Sequence, residues 1–175
     1  ASALEEALVV ADAVGDPGLR IRARTALGRH HLRMARRDAA RRLLEEALAQ
    51  SRETGDPRGE ATALEALGAL ARLLGRFGDA QAQNERAASL FRDVGDRGGE
   101  ASALNALGSV LLATGHPDEA RACHERALAI HERTLGGDHP LVARDLDRLA
   151  NLLQAQGAFA EARPLHFSEG LAIVS

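Results

Sequence analysis

Seven histidines, one cysteine and a run of arginines are the residues of this chain whose chemistry goes beyond packing. His124 and His131 stand seven residues apart, with Cys123 beside the first. On a helix that spacing is about two turns, too far for one ion without further ligands. His30 and His31 are neighbours whose rings leave a helix in different directions, so they chelate poorly. Packing is the better reading of these histidines. A single cysteine excludes an intrachain disulfide and a cysteine-rich zinc site. Cys123 also lacks the helix-start position that lowers a thiol pKa. Ser102, Ser109 and Thr114 have no histidine or acid that the sequence places beside them, and Gly98-Gly99 opens a helix in a chain without lysine, so it is no phosphate loop. No catalytic residue, metal or cofactor is expected, and the chain reads as a non-enzyme.

The strongest charge feature runs from Arg20 to Arg42. It holds Arg20, Arg22, Arg24, Arg29, Arg33, Arg36, Arg37, Arg41 and Arg42 against one acid, Asp38. Helical geometry puts Arg22, Arg29 and Arg33 on one face. Planar guanidinium forks suit carboxylates and phosphates, so this face is a candidate site for an acidic peptide or a phosphate. A solvated face, helped by Glu45 and Glu46, is the plainer alternative. Nucleic acid fits poorly because no aromatic stacking platform accompanies the arginines. The net charge of -3 and pI near 6.2 give no overall pull towards nucleic acid or anionic lipid. No apolar run approaches the ~18 residues that cross a bilayer. The N-terminus lacks the order of a signal peptide. The expectation is a cytoplasmic chain with no membrane partner.

A repeat must position these residues. Leu104, Leu107, Gly108, Leu111, Gly115, Ala120, His124 and Ala127 form a frame that occurs forty residues earlier as Leu64, Leu67, Gly68, Ala71, Gly75, Ala80, Asn84 and Ala87. Forty residues before that it reads Arg24, Leu27, Gly28, His31, Ala35, Ala40, Leu44 and Ala47. Downstream it returns after forty-two, as Leu146, Leu149, Ala150, Leu153, Gly157, Ala162 and His166. A fixed period of this size marks a helical repeat array. Gly15-Asp16-Pro17, Gly55-Asp56-Pro57, Gly95-Asp96-Arg97 and Gly137-Asp138-His139-Pro140 each end one helix and begin the next, Gly closing, Asp capping and Pro fitting the first turn. Asp38 and Asp118 read as further N-caps. The spacing predicts a helix over 2–14 and helix pairs within 18–54, 58–94, 98–135 and 140–173, one array over 1–175 opening on a half repeat. Connections this short force antiparallel packing. Mid-helix Gly28, Gly68, Gly108 and Ala150 imply close approach of the partner helix through Ala40, Ala80, Ala120 and Ala162, because glycine there costs about 1 kcal/mol otherwise. The last unit departs, with Pro164, Glu169 and a late Gly170, and an irregular final helix is expected.

Leu64-x2-Leu67-Gly68-x2-Ala71 followed by Ala80-x3-Asn84-x2-Ala87 resembles the tetratricopeptide repeat family at its small and leucine positions, with the aromatic positions replaced. The period and Leu135-Gly136-Gly137-Asp138-His139-Pro140 are similar to its longer subclass, found in kinesin light chains and bacterial regulators. The resemblance implies an all-α, right-handed solenoid of antiparallel helix pairs, four repeats plus a half repeat, that binds a protein or peptide in a groove lined by first helices. By resemblance and spacing the groove holds Arg22, Thr25, Arg29 and Arg33, then Thr62, Glu65, Ala69 and Arg72. Ser102, Asn105, Ser109 and Leu112 follow, then Arg144, Asp147, Asn151 and Gln154. Asn105 and Asn151 would hold the backbone of an extended peptide. The family's chaperone-tail clamp is absent, since Thr25, Ala66 and Ser102 stand at its positions. Arginine-only cations point to a GC-rich bacterium, where the resemblance suggests the sensor segment of a signalling or transcription regulator. Self-association through exposed array ends is the alternative.

Overall fold

The computed structural model describes residues 3–156 of the 175. Among the described residues there are helices and no strand: α1 (Ala3–Val14), α2 (Pro17–Arg33), α3 (Arg37–Thr54), α4 (Pro57–Leu73), α5 (Phe77–Asp93), α6 (Arg97–Ala113), α7 (Pro117–Leu135) and α8 (Pro140–Ala155). They form an all-α solenoid of repeated helix pairs, α2 with α3, α4 with α5 and α6 with α7. The chain divides into two compact units, Ala1–Asp96 and Arg97–Ser175. The expected last helix, with Ala162, Pro164, His166 and Gly170, lies outside the described residues.

The boundaries follow from local chemistry. Asp16 accepts hydrogen bonds from the N–H groups of Gly18 and Leu19, and Asp56 accepts one from Gly59, each with Pro in the first turn behind it. Gly15, Gly55 and Gly95 take the left-handed backbone that closes a helix. Three of the expected caps are corrected. Asp38 and Asp118 stand inside the first turns of α3 and α7, whose N-cap residues are Arg36 and His116 and make no side-chain cap bond. There the two carboxylates face the positive end of the helix dipole without capping it. Before α8 the cap is His139, whose Nδ1 accepts from the Leu141 N–H at 3.1 Å, and not Asp138. The turns within the pairs place Gly75 and Gly115 at positive φ, and at the equivalent place Ala35 adopts φ 56° without glycine's freedom.

Small residues set the spacing inside each pair. A Cβ built on Gly28 would sit 2.8 Å from Leu44 Cδ2, one on Gly68 2.8 Å from Asn84 Nδ2, and one on Gly108 2.8 Å from His124 Cε1. One column of the second helix therefore rests on bare backbone of the first. Ala40, Ala80 and Ala120, one turn away, are wholly buried. In the first unit Leu44, Ala66, Leu67 and Leu70 form one core cluster, closed by Leu32, Leu48 and Leu74. In the second, Leu107, Leu111, Ala120 and Leu152 do so, with Cys123 packed against them. Cys123 is half-buried there and fills space beside the cluster.

Two glycine substitutions separate contact from propensity. Gly68→Ala places a methyl against an Asn84 amide already anchored to the Ala80 carbonyl at 2.8 Å. Gly78 has nothing within 4 Å of its Cβ position. Thermal unfolding is expected to show Gly68→Ala destabilised by about 1–3 kcal/mol through overpacking. Gly78→Ala should gain up to about 1 kcal/mol from helix propensity. Equal effects of the two would contradict the assigned contact.

Candidate functional site

The first unit has a cleft of about 380 Å³ where α2 runs beside the start of α4. Ile21, Thr25 and Ala26 of α2 and Gly59 and Thr62 of α4 line it. Gly59 belongs there because a Cβ would stand 2.9 Å from Ile21 Cγ2 and 2.5 Å from the capping Asp56 carboxylate. Arg22, Arg29 and Arg58 supply the charge at its walls, and Asp56 is the acid beside them. Asp56 is already committed to the Gly59 N–H. Arg58 pairs with Asp96 at 3.3 Å and Arg29 with Glu65 at 2.5 Å. Arg22 makes no hydrogen bond or ion pair among the described residues. It is a cation of the cleft that no ion pair engages.

The structure thus gathers Arg22, Thr25, Arg29 and Thr62 of the expected groove, with Glu65 bonded to Arg29. Thr25 is buried and donates its hydroxyl to the Ile21 carbonyl at 2.8 Å, so it shapes the floor and offers no free hydroxyl hydrogen. Arg33, Ala69 and Arg72 do not line the cleft. In the second unit Ser102, Leu112, Arg144, Asn151 and Gln154 are exposed, whereas Ser109 and Asp147 are half-buried. Ser109 donates to the Asn105 carbonyl at 2.9 Å. Asn105 is buried, and both ends of its amide are engaged inside the protein. It does not present that amide to a groove.

Asn105 belongs to a polar network that ties α6, α7 and α8 together. Asp145, with no exposed surface, is its centre. Its Oδ1 accepts from Asn105 Nδ2 at 2.8 Å and from Arg148 Nη1 at 3.0 Å, and its Oδ2 faces His131 Nδ1 at 2.6 Å. An ionised carboxylate only accepts, so the Asn105 nitrogen must face it and the Asn105 oxygen must face away. That oxygen lies 2.8 Å from His124 Nδ1, which therefore carries the proton. Arg148 balances the Asp145 charge. Burial pushes the His124 pKa below its usual 6.5, and the Arg148 guanidinium adds to the depression while Asp145 opposes it. The geometry orders a packing interface; no group of three or more His, Cys, Asp or Glu able to hold a metal occurs among the described residues.

Asp145 escaped the sequence reading although a signal was present. At the repeat's own offset of forty-two it stands in the column of Ala63 and Ala103, both wholly buried. An acid in a column of buried alanines has to be paired. His131 likewise follows Ser51 and Phe91 in a buried column. Asp147 is the α8 residue equivalent to Asn105, and Asn105 itself is buried rather than in a groove.

Comparison with known proteins gives these features a context. The pattern of the tetratricopeptide repeat family matches residues 19–93 and 95–166. Among solved structures, BtubC (BKLC) from P. vanneervenii is similar at 24% identity and TM-score 0.79, covering 91% of this chain and 67% of that one. A Podosopora anserina chain described as of kinesin light chain type, with nearly identical TPR-like repeats, shares 21% identity at TM-score 0.78 over 91% of this chain and 79% of its own. MamA protein is similar at 18% identity and TM-score 0.61, over 93% and 85% of the two chains. No curated protein sequence matches the chain.

The His124 environment has a pH consequence. A histidine whose pKa is depressed in the folded protein binds its proton more readily once unfolded. Stability is therefore full above about 6.5 and is lost as pH falls from there through the folded pKa. His124→Asn, the residue that the preceding repeat carries at this position, is expected to flatten that part of the profile in urea unfolding followed from pH 8 to pH 5. An unchanged slope would remove His124 from the acid response.

Proposed function

The chain belongs to the tetratricopeptide repeat family, and on that premise we propose that it is a non-catalytic scaffold which captures an extended acidic segment of a partner protein. Repeats of this family mediate protein–protein interaction and scaffolding and are generally non-catalytic. The observation that carries the finer reading is the cleft between α2 and α4, where Arg22 stands without an ion pair at the wall of an apolar floor. Ile21 and Ala26 accept a small apolar side chain, while a carboxylate nearby pairs with Arg22 and competes with Glu65 for Arg29. A bidentate arginine–carboxylate pair gives register as well as attraction. Partner choice then rests on charge placement, which sets orientation and rate of encounter more than area does. In this reading such a module serves as the sensor segment of a larger bacterial signalling or transcription regulator, which the resemblance to bacterial regulators supports.

A second reading, association of two copies, is favoured by α1, where Val9, Val10 and Val14 are 59–69% exposed. Sedimentation across a range of concentrations separates the two, since a cleft binder stays monomeric and a self-pairing chain does not.

The leading reading is tested by fluorescence anisotropy with labelled extended peptides that carry Asp and Glu and with their Asn and Gln counterparts. The acidic set is expected to bind, and Arg22→Glu or Arg29→Glu to weaken it about tenfold or more. Arg42→Glu, on an exposed face of α3 away from the cleft, should leave it unchanged. Equal affinity for acidic and neutral peptides would sink the proposal.

A further inference from the structure

The arginines that do not enter the cleft are sorted by the fold onto one edge. The turn from α2 to α3 carries Arg33, Arg36 and Arg37, and the turn from α4 to α5 carries Arg72 and Arg76. The two turns adjoin, because Arg41 of α3 meets Leu74, Arg76 and Asp79 of the next turn around a small cleft. Arg33, Arg36, Arg37, Arg72 and Arg76 are all exposed and make no ion pair among the described residues. The acids on this edge are Asp38 and Asp79 in first helical turns and Glu45 beside Arg41, fewer than the cations. Elsewhere in the same unit Arg24 pairs with Asp12 and Glu46, Arg29 with Glu65 and Arg58 with Asp96, whereas these five stand together without such partners. The whole-chain charge of -3 hides this local excess.

The same edge exposes apolar side chains. Met34 is 56% exposed between Arg33 and the Arg36-Arg37 pair, and Leu73 is 46% exposed between Arg72 and Arg76. Neither belongs to the core cluster of the unit, and each stands exposed at a helix end with arginines on both sides of it in the chain. Exposed apolar groups flanked by arginines match the interfacial layer of an anionic bilayer, where acyl chains receive the former and lipid phosphates the latter.

We propose that this edge of the first unit docks on an anionic lipid surface, with Met34 and Leu73 entering the headgroup layer and the five arginines binding its phosphates. The attachment is peripheral: no described helix is long and apolar enough to cross a membrane. It is independent of the α2–α4 cleft and leaves Arg22 open to a peptide.

Vesicle co-sedimentation with the whole chain tests this. Phosphatidylcholine vesicles containing phosphatidylserine are expected to pellet the protein, and phosphatidylcholine alone is not. Arg36→Gln with Arg37→Gln should lower partitioning roughly 25-fold, at about fivefold for each arginine near the surface. Met34→Ser with Leu73→Ser should lower vesicle partitioning while leaving attraction to soluble polyglutamate unchanged, with the helical circular dichroism of both variants intact. Equal pelleting with and without phosphatidylserine overturns the proposal. So does undiminished pelleting of the Met34→Ser, Leu73→Ser variant, which would show that neither side chain enters the headgroup layer and that charge alone holds the edge.

Discussion

Each helix pair depends on a side chain of its second helix lying directly on the backbone of its first. Gly28, Gly68 and Gly108 permit the contact, and Leu44, Asn84 and His124 make it. A glycine in mid-helix sacrifices about 1 kcal/mol of propensity, so the close approach must return more than that through dispersion and burial. Interiors are packed to crystal density and forfeit contact energy over gaps far smaller than a water molecule. The spacing of the helices, and hence the width of any cleft between first helices, descends from this one contact.

The column also shows how one geometry admits unlike chemistries. Leu44 needs no partner. Asn84 returns its amide nitrogen to the Ala80 carbonyl, while its oxygen is buried without a hydrogen bond from the protein. His124 leads through Asn105 to the Asp145 carboxylate and so reaches the next helix pair. In the first unit the ion pair between consecutive first helices is the half-exposed Arg29–Glu65 pair, which solvent screens. In the second unit a link from α6 to α8 is buried and directional, and removal of one member strands the others in a low dielectric.

Much of the fold is legible in the sequence because the repeat is local. Period, glycine stops and capping acids each depend on residues a few positions apart, and they give the all-α class of repeated helix pairs. Departures arise where two signals share one turn. Asp38 and Asp118 look like caps, but the preceding residues take the cap position, and the acids fall within the helix. The candidate cleft was partly legible: spacing brings Arg22, Thr25, Arg29 and Thr62 together, while the burial of Thr25 and the Arg29–Glu65 pairing depend on tertiary contact that no spacing rule reports. The Asp145 network is not legible from equivalent positions, because Asn105 bonds across the interface to a residue of a different column, a tertiary contact that the repeat spacing does not report.

That network also bears on how such a chain can lengthen. Tandem arrays grow by copying a stretch of gene the length of one unit. A copy of residues 57–96 carries its own self-contained column, with Asn84 bonded within its helix. A copy of residues 97–136 would carry Asn105, His124 and His131 away from Asp145, leaving an amide and two imidazoles in the interior with no acid to meet them. Inheritance would thus favour duplication of the second full repeat over the third, and the third and its successor would have to travel together.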